Sequence, residues 1–212
     1  MVRHRGPREA ISAPPATLAS HRSAPGSPRG RLLGNGRYRA LVTESGTGGA
    51  WLDGQALTLW RGDPVEDADG WFLYLRDLAD GTFWSLADRP VPGAPGAHDG
   101  EHGPGWLAIG RRQSGIASRM EVWVDAERAA ECRRVTLQNL TDRPRTIELT
   151  SYLEVVLLDA RHHASHPAFS KLFVQTAWLP DRELLLAWRR PRDPGQRHPW
   201  LAHAARARGA LG

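Results

Sequence analysis

The 212-residue chain carries a net charge of +5, and all 28 of its basic residues except Lys171 are arginine. Those arginines are scattered among Asp and Glu rather than gathered into the stripe a nucleic-acid footprint requires, so no nucleic-acid partner is expected. The single Cys132 excludes an internal disulfide framework, no apolar run reaches the ~18 residues of a membrane span, and no apolar segment follows Arg3, Arg5 and Arg8 as a secretory leader would; a cytoplasmic location is expected.

Residues 1–30 are rich in Arg, Pro, Ser and Ala without an apolar period, and read as a disordered or linker segment. A β domain is expected over residues 31–202, followed by an irregular tail over 203–212. Gly34-Asn35-Gly36 is a turn signal before the alternating strand Tyr38–Thr43, Gly46–Gly49 makes a second turn, and Ala56–Trp60 is a short strand. The acidic loop Asp63–Gly70 fails as a calcium site, because Val65 falls at the first ligand position and Arg76 at the last. Trp71–Arg76 is an aromatic-rich strand that Asp77–Gly81 turns back onto Thr82–Ser85. Pro90–Gly105, with His98 and His102, reads as a long mobile or functional loop, and strands follow at Gly105–Arg111 and Arg119–Asp125.

The clearest pattern lies between Glu131 and Thr176. Val135 and Leu137 alternate with Arg134, Thr136 and Gln138, and odd positions from Ile147 to Leu157 read Ile, Leu, Ser, Leu, Val, Leu. Period-2 alternation of this kind buries one face of a strand. The turn formers Asn139–Pro144 between the two runs predict an antiparallel hairpin. A further β-rich run is expected at Lys171–Thr176 and another strand at Glu183–Trp188, with no helix foreseen.

No nucleophile elbow, phosphate loop or zinc-protease motif occurs, so no residue is assigned a catalytic role and no cofactor is expected. His162, His163 and His166 lack the companion ligands a zinc site needs and read as a polar loop. Nine tryptophans call for an explanation. Five of them, Trp51, Trp60, Trp71, Trp84 and Trp106, lie in the first half, near Arg61, Arg76 and Asp77. Indole rings stack on the C–H faces of sugars, while guanidinium forks and carboxylates suit the hydroxyls. Trp51, Trp60, Arg61, Trp71, Arg76 and Asp77 are therefore the candidate carbohydrate contacts, with Trp60 and Trp71 the two best explained by core packing alone.

Several stretches in order resemble one family. They are Leu33-Gly34-Asn35-Gly36-Arg37-Tyr38, Ala56–Arg61, Gly70–Asp77, the long run from Arg133 to Leu157, and the octet His166–Phe173 (HPAFSKLF). Over Leu32–Ala202 the chain is similar to the N-terminal β-supersandwich domain of glycoside hydrolase family 94, of the cyclic β-1,2-glucan synthase and glycoside phosphorylase type. The resemblance implies an all-β, antiparallel supersandwich of the galactose mutarotase-like type, incomplete at its C-terminal end. It also implies β-glucan or oligosaccharide as ligand, and a catalytic (α/α)6 barrel or a homodimer partner as neighbour. The barrel that holds the catalytic acid in that family is not in this chain, so the chain alone is expected to be inactive. Where family members carry a Gly-Tyr-Ser-Arg-Trp pattern, this chain has Gly48-Gly49-Ala50-Trp51-Leu52, with the indole displaced by one position.

Overall fold

Alternation and turn chemistry build a molecule almost entirely of strands. The computed structural model describes residues 21–22, 30–63, 65–93 and 98–207. One sheet has the order β1 (His21–Arg22), β8 (His98–Gly103), β9 (Trp106–Gln113), β10 (Ile116–Val124), β11 (Glu131–Asn139). A second runs β13 (Val155–Leu158), β5 (Gln55–Thr58), β4 (Gly48–Leu52), β3 (Tyr38–Thr43), β2 (Gly30–Gly34). A third, β12 (Ile147–Leu153), β6 (Trp71–Asp77), β7 (Phe83–Ser85), adjoins the second, because β12 and β13 are separated only by Glu154. The last has the order β14 (Val174–Leu179), β15 (Leu184–Arg189), β16 (Leu201–His203). Every pairing among the described residues is antiparallel.

The layers meet as a sandwich. Leu107, Ile109, Met120 and Val122 of the first sheet pack in one core with Leu33, Ala40, Val42, Ala50 and Leu57 of the second. Leu75, Trp84 and Ile147 of the third sheet pack against Ile116 of the first. Alternation in β9 and β10 leaves Trp106, Ala108 and Trp123 on the opposite face, where they bury Cys132. Burial pushes that thiol up to about 11, with Asp125 and Glu131 adding to the shift, so it is a protonated, inert packing group.

Two tight turns follow from their residues. Asp53 and Gly54 both have positive φ (48° and 88°), as do Ser114 and Gly115 (52° and 77°), the pattern of a two-residue hairpin of the primed type. Leu157 also has positive φ, 52°, where the β13–β5 register shifts, and its side chain is fully buried. A bulge thus aims a leucine into the core.

The hairpin expected between the runs at 134–138 and 147–157 does not form. β11 pairs along its length with β10 alone, and β12 pairs with β6. Asn139–Pro144 is an arch between layers: the Asn139 amide donates to the Arg143 carbonyl, and Arg145 reaches across to the Ser114 carbonyl and to Asp77. Alternation fixes which face of a strand is buried and leaves its neighbour open. The β6–β7 hairpin does form as expected.

Other departures are local. Gly48 and Gly49 begin strand β4 rather than end a turn, and β8 lies inside the expected loop 90–105. Residues 161–166 lie in and just after helix α1 (Ala160–Ser165), capped by Asp159, whose carboxylate accepts from the Arg161 and His162 backbones. The expected strand from Lys171 begins in helix α2 (Pro167–Lys171), and β14 starts only at Val174. Of the expected linker 1–30, only His21, Arg22 and Gly30 are described, and they stand in strands; the rest lies outside the described residues. His203 of the expected tail belongs to β16, and no element is described from Ala204 to Ala207.

Candidate functional site

The outer face of the second sheet holds half of the expected site. Ala50 is core and Leu52 packs against it, so Gly49 and Trp51 point the other way. A Cβ on Gly49 would lie 2.6 Å from the Trp60 Cβ and 3.1 Å from Cη2 of Trp51. The absent side chain of Gly49 therefore leaves the space that the tip of the Trp51 indole and the base of the Trp60 side chain both enter. Both tryptophans are half-buried, and Trp51 is flanked in register by Arg39 and Ala56.

Arg61 stands next to this pair. Its guanidinium bonds Asp69 at 2.9 Å and Glu66 at 2.9 Å, and its backbone N–H donates to Asp69 at 2.7 Å. Asp69 is buried and raises the guanidinium's proton affinity further, so Arg61 is a permanently charged, half-exposed fork held in one orientation. Trp51 and Trp60 thus meet at Gly49, and Arg61 follows Trp60 in the chain with its guanidinium held by Asp69 and Glu66.

The three residues from β6 do not come together: alternation turns Arg76 away from Trp71 and Asp77, which share a face but stand at opposite ends of the strand. Trp71 is wedged where strands converge: its Nε1 donates to Ser151 Oγ at 2.6 Å, Arg133 lies over its ring at 4.3 Å, and His203 meets it edge-on at 5.1 Å. Arg133 is itself held by Glu131 at 2.7 Å, which also accepts from the Tyr38 hydroxyl. Burial and the Glu131 charge push the Tyr38 phenol well above its ordinary value, so it stays a donor. Asp77 is 0% exposed and paired with Arg145, out of reach of any sugar. The Ala79 N–H and the Arg145 guanidinium hold its carboxyl below the usual range.

Arg76, one position earlier, points outward. It lies between Glu148 and Phe83 in register, with Tyr74 and the exposed Tyr152 on the same face. Tyr74 and Tyr152 escaped sequence reasoning, although even-position aromatics on adjacent strands are a usable signal once the β6–β12 pairing is known.

The histidine segment is a structural knot. The buried His163 Nδ1 lies 3.1 Å from Ser170 Oγ, and the buried Arg189 donates to that oxygen at 2.7 Å and to the Ser170 carbonyl at 2.9 Å. Burial lowers the proton affinity of His163, with Lys171 and Arg189 adding to the effect against Glu154. Among the described residues, no three His, Cys, Asp or Glu side chains converge as metal ligands would.

The strand order and the shared core define an all-β antiparallel sandwich domain. The chain belongs to the glycosyl hydrolase 94 supersandwich domain family, whose profile matches residues 16–210. It is 38% identical over 173 residues to the cyclic β-(1,2)-glucan synthase NdvB of Rhizobium meliloti (strain 1021), covering 81% of this chain and 6% of that protein. It is 26% identical over 130 residues to the solabiose phosphorylase of Paenibacillus borealis, covering 61% of this chain and 16% of the relative. It is also 26% identical over 133 residues to the N,N'-diacetylchitobiose phosphorylase of Vibrio furnissii, covering 60% and 17%. The chain thus spans a small part of the length of these relatives. No helix among the described residues is long and apolar enough to cross a membrane.

Proposed function

We propose that this chain is a non-catalytic carbohydrate-binding domain that holds β-glucan or a related oligosaccharide for an enzyme of cyclic β-1,2-glucan synthase or glycoside phosphorylase type. The observation that carries the reading is the indole pair Trp51 and Trp60 seated over Gly49, with the oriented Arg61 fork beside it. A pyranose ring has an apolar face to lay on such a surface and equatorial hydroxyls for the fork. The relatives' names direct the choice of sugar, above all the β-1,2-glucan of NdvB.

The test is a fluorescence titration of the chain with β-1,2-glucooligosaccharides, with cellooligosaccharides as control. A saturable, linkage-selective change is expected. Trp51→Ala should weaken it by about tenfold, or ~1.4 kcal/mol. Gly49→Ala should do the same while leaving both indoles in the chain, because the added methyl evicts Trp60 from its seat. A folded chain that gives no response to either sugar series would sink the reading.

A second reading has an observation of its own. Phe169 on α2 and Leu172 just after it are exposed, and Arg192 lies over both Phe169 and Phe173 at 5.0 and 4.7 Å. Aromatic and arginine side chains presented together are the usual core of a protein interface. On this reading the domain packs on a catalytic barrel or partner subunit without touching sugar. Substituting Phe169 would then matter and substituting Trp51 would not.

A further inference from the structure

Two short helices are fastened to the sandwich by one buried triad. Helix α1 has six residues and α2 five, too few for either to persist on its own hydrogen bonds. His163 is the buried residue of α1 and Ser170 that of α2, and Ser170 joins both to the buried Arg189 of β15. Arg189 donates to the Ser170 hydroxyl at 2.7 Å and to the Val156 carbonyl of β13 at 3.2 Å. The same hydroxyl lies 3.1 Å from His163 Nδ1, so the link from β15 to α1 runs through a single oxygen.

That oxygen has one proton to give. Since it accepts from Arg189, its O–H donates to Nδ1, which receives it only while that nitrogen carries no proton of its own. No other acceptor for the hydroxyl stands within hydrogen-bond reach among the described residues. A proton on Nδ1 therefore points two donors at one oxygen and leaves the hydroxyl proton without a partner. It also sets an imidazolium close to a guanidinium in a site largely closed to water, where like charges repel most.

The surrounding groups favour the neutral ring. Burial opposes protonation most, Lys171 of α2 and Arg189 of β15 add to it, and Glu154 between β12 and β13 acts the other way. Glu154 is itself engaged by Lys171 at 2.5 Å. On the histidine's own segment, Arg161, His162 and His166 are exposed, and Asp159 caps the helix. The folded-state pKa of His163 thus lies below the ordinary value near 6.5 that the ring regains on release. The closed arrangement has its full stability above that value and loses it as pH falls toward the depressed one.

We propose that α1 and α2 form an acid-released strap: protonation of His163 breaks the lock through Ser170 and Arg189 and frees both helices from β13 and β15 while the sandwich stays folded. This depends neither on sugar at Trp51 and Trp60 nor on what α2 meets.

Lys171 is the chain's single lysine and lies inside α2, so a lysine-specific endoproteinase has one site, and cutting there requires the strap to open. The experiment is native-state digestion of the full 212-residue chain from about pH 7.5 to about pH 5.5. Each rate is divided by that of a free peptide spanning 166–173. The normalised rate should rise by up to about tenfold across this range, as a group regaining a pKa near 6.5 in the open state requires. Hydrogen exchange over the same range should show β9 and β10 still protected. His163→Asn offers Ser170 an amide where Nδ1 was and has no proton to take up, so its rate should be flat with pH, whatever its level. His162→Asn, which removes an exposed imidazole from the same helix, should keep the rise. A flat wild-type rate overturns the proposal. So does a rise that survives His163→Asn, one that disappears with His162→Asn, or one matched by exchange in β9 and β10.

Discussion

Asp77 holds the end of β6 through a carboxylate that solvent never meets. The Ala79 N–H and the Arg145 guanidinium stabilise its charged form, which lowers its folded-state pKa below the ordinary value near 4. The unfolded chain therefore takes up this proton first as pH falls. The stability contributed by Asp77 is fully present above about pH 4 and is lost as pH drops through the depressed value. Asp77→Asn should melt at a lower temperature at neutral pH, and its melting temperature should lose less on acidification than the wild type's. Parallel melting curves of the two proteins from pH 7 to pH 3 check this; equal acid sensitivity would remove the charge from the explanation. At this scale the sequence was a partial guide. Aspartate at a strand end was rightly noted as a turn residue, but its burial under Arg145 depends on an arch residue 68 positions away. Tyr74 and Tyr152 were equally out of reach, because only the β6–β12 register places them on one face.

Helix α2 illustrates how an element of five residues is made stable. It is too short to hold itself by propagation, and Pro167 at its start supplies only a fixed φ. Arg189 fixes it by bonding both the carbonyl and the hydroxyl of Ser170 while also bonding the Val156 carbonyl of β13. Ser170→Ala removes one hydrogen bond to a buried charge, and should cost about 2 kcal/mol in urea unfolding. A loss within a few tenths of zero would mean that water replaces the hydroxyl. One turn of helix gives no periodicity to read, which is why HPAFSKLF could be recognised as a motif and still be assigned to the wrong element. The β6–β7 hairpin was legible because its turn residues sit between paired strands. The arch at 139–144 has the same turn chemistry and joins strands in different sheets, a distinction set by β10 and β6 competing successfully for β11 and β12.

At the scale of the molecule, an all-β antiparallel sandwich was legible from alternation, and the stretches that resemble family 94 lie within the matched residues 16–210. What could not be read was how the candidate contacts would divide: Trp51 and Trp60 meet at Gly49, Arg61 is held by Asp69, and Trp71 and Asp77 hold strands together. The cause is that Trp51 belongs to one sheet and Trp71 and Asp77 to another, and sheet membership is set by which strands pair rather than by the period within any one strand.

The passage of β12 into β13 across Glu154 carries a consequence for how the sandwich opens. One length of chain is hydrogen-bonded to β6 at its start and to β5 at its end, with Leu157 locked by the bulge between registers. A slip by one residue against either partner would turn inward-facing leucines out on both sheets at once. The second and third sheets should therefore behave as a single cooperative unit. Native-state hydrogen exchange should give the amides of β5, β6, β12 and β13 one common opening free energy. Two well-separated values would show that the sheets melt independently.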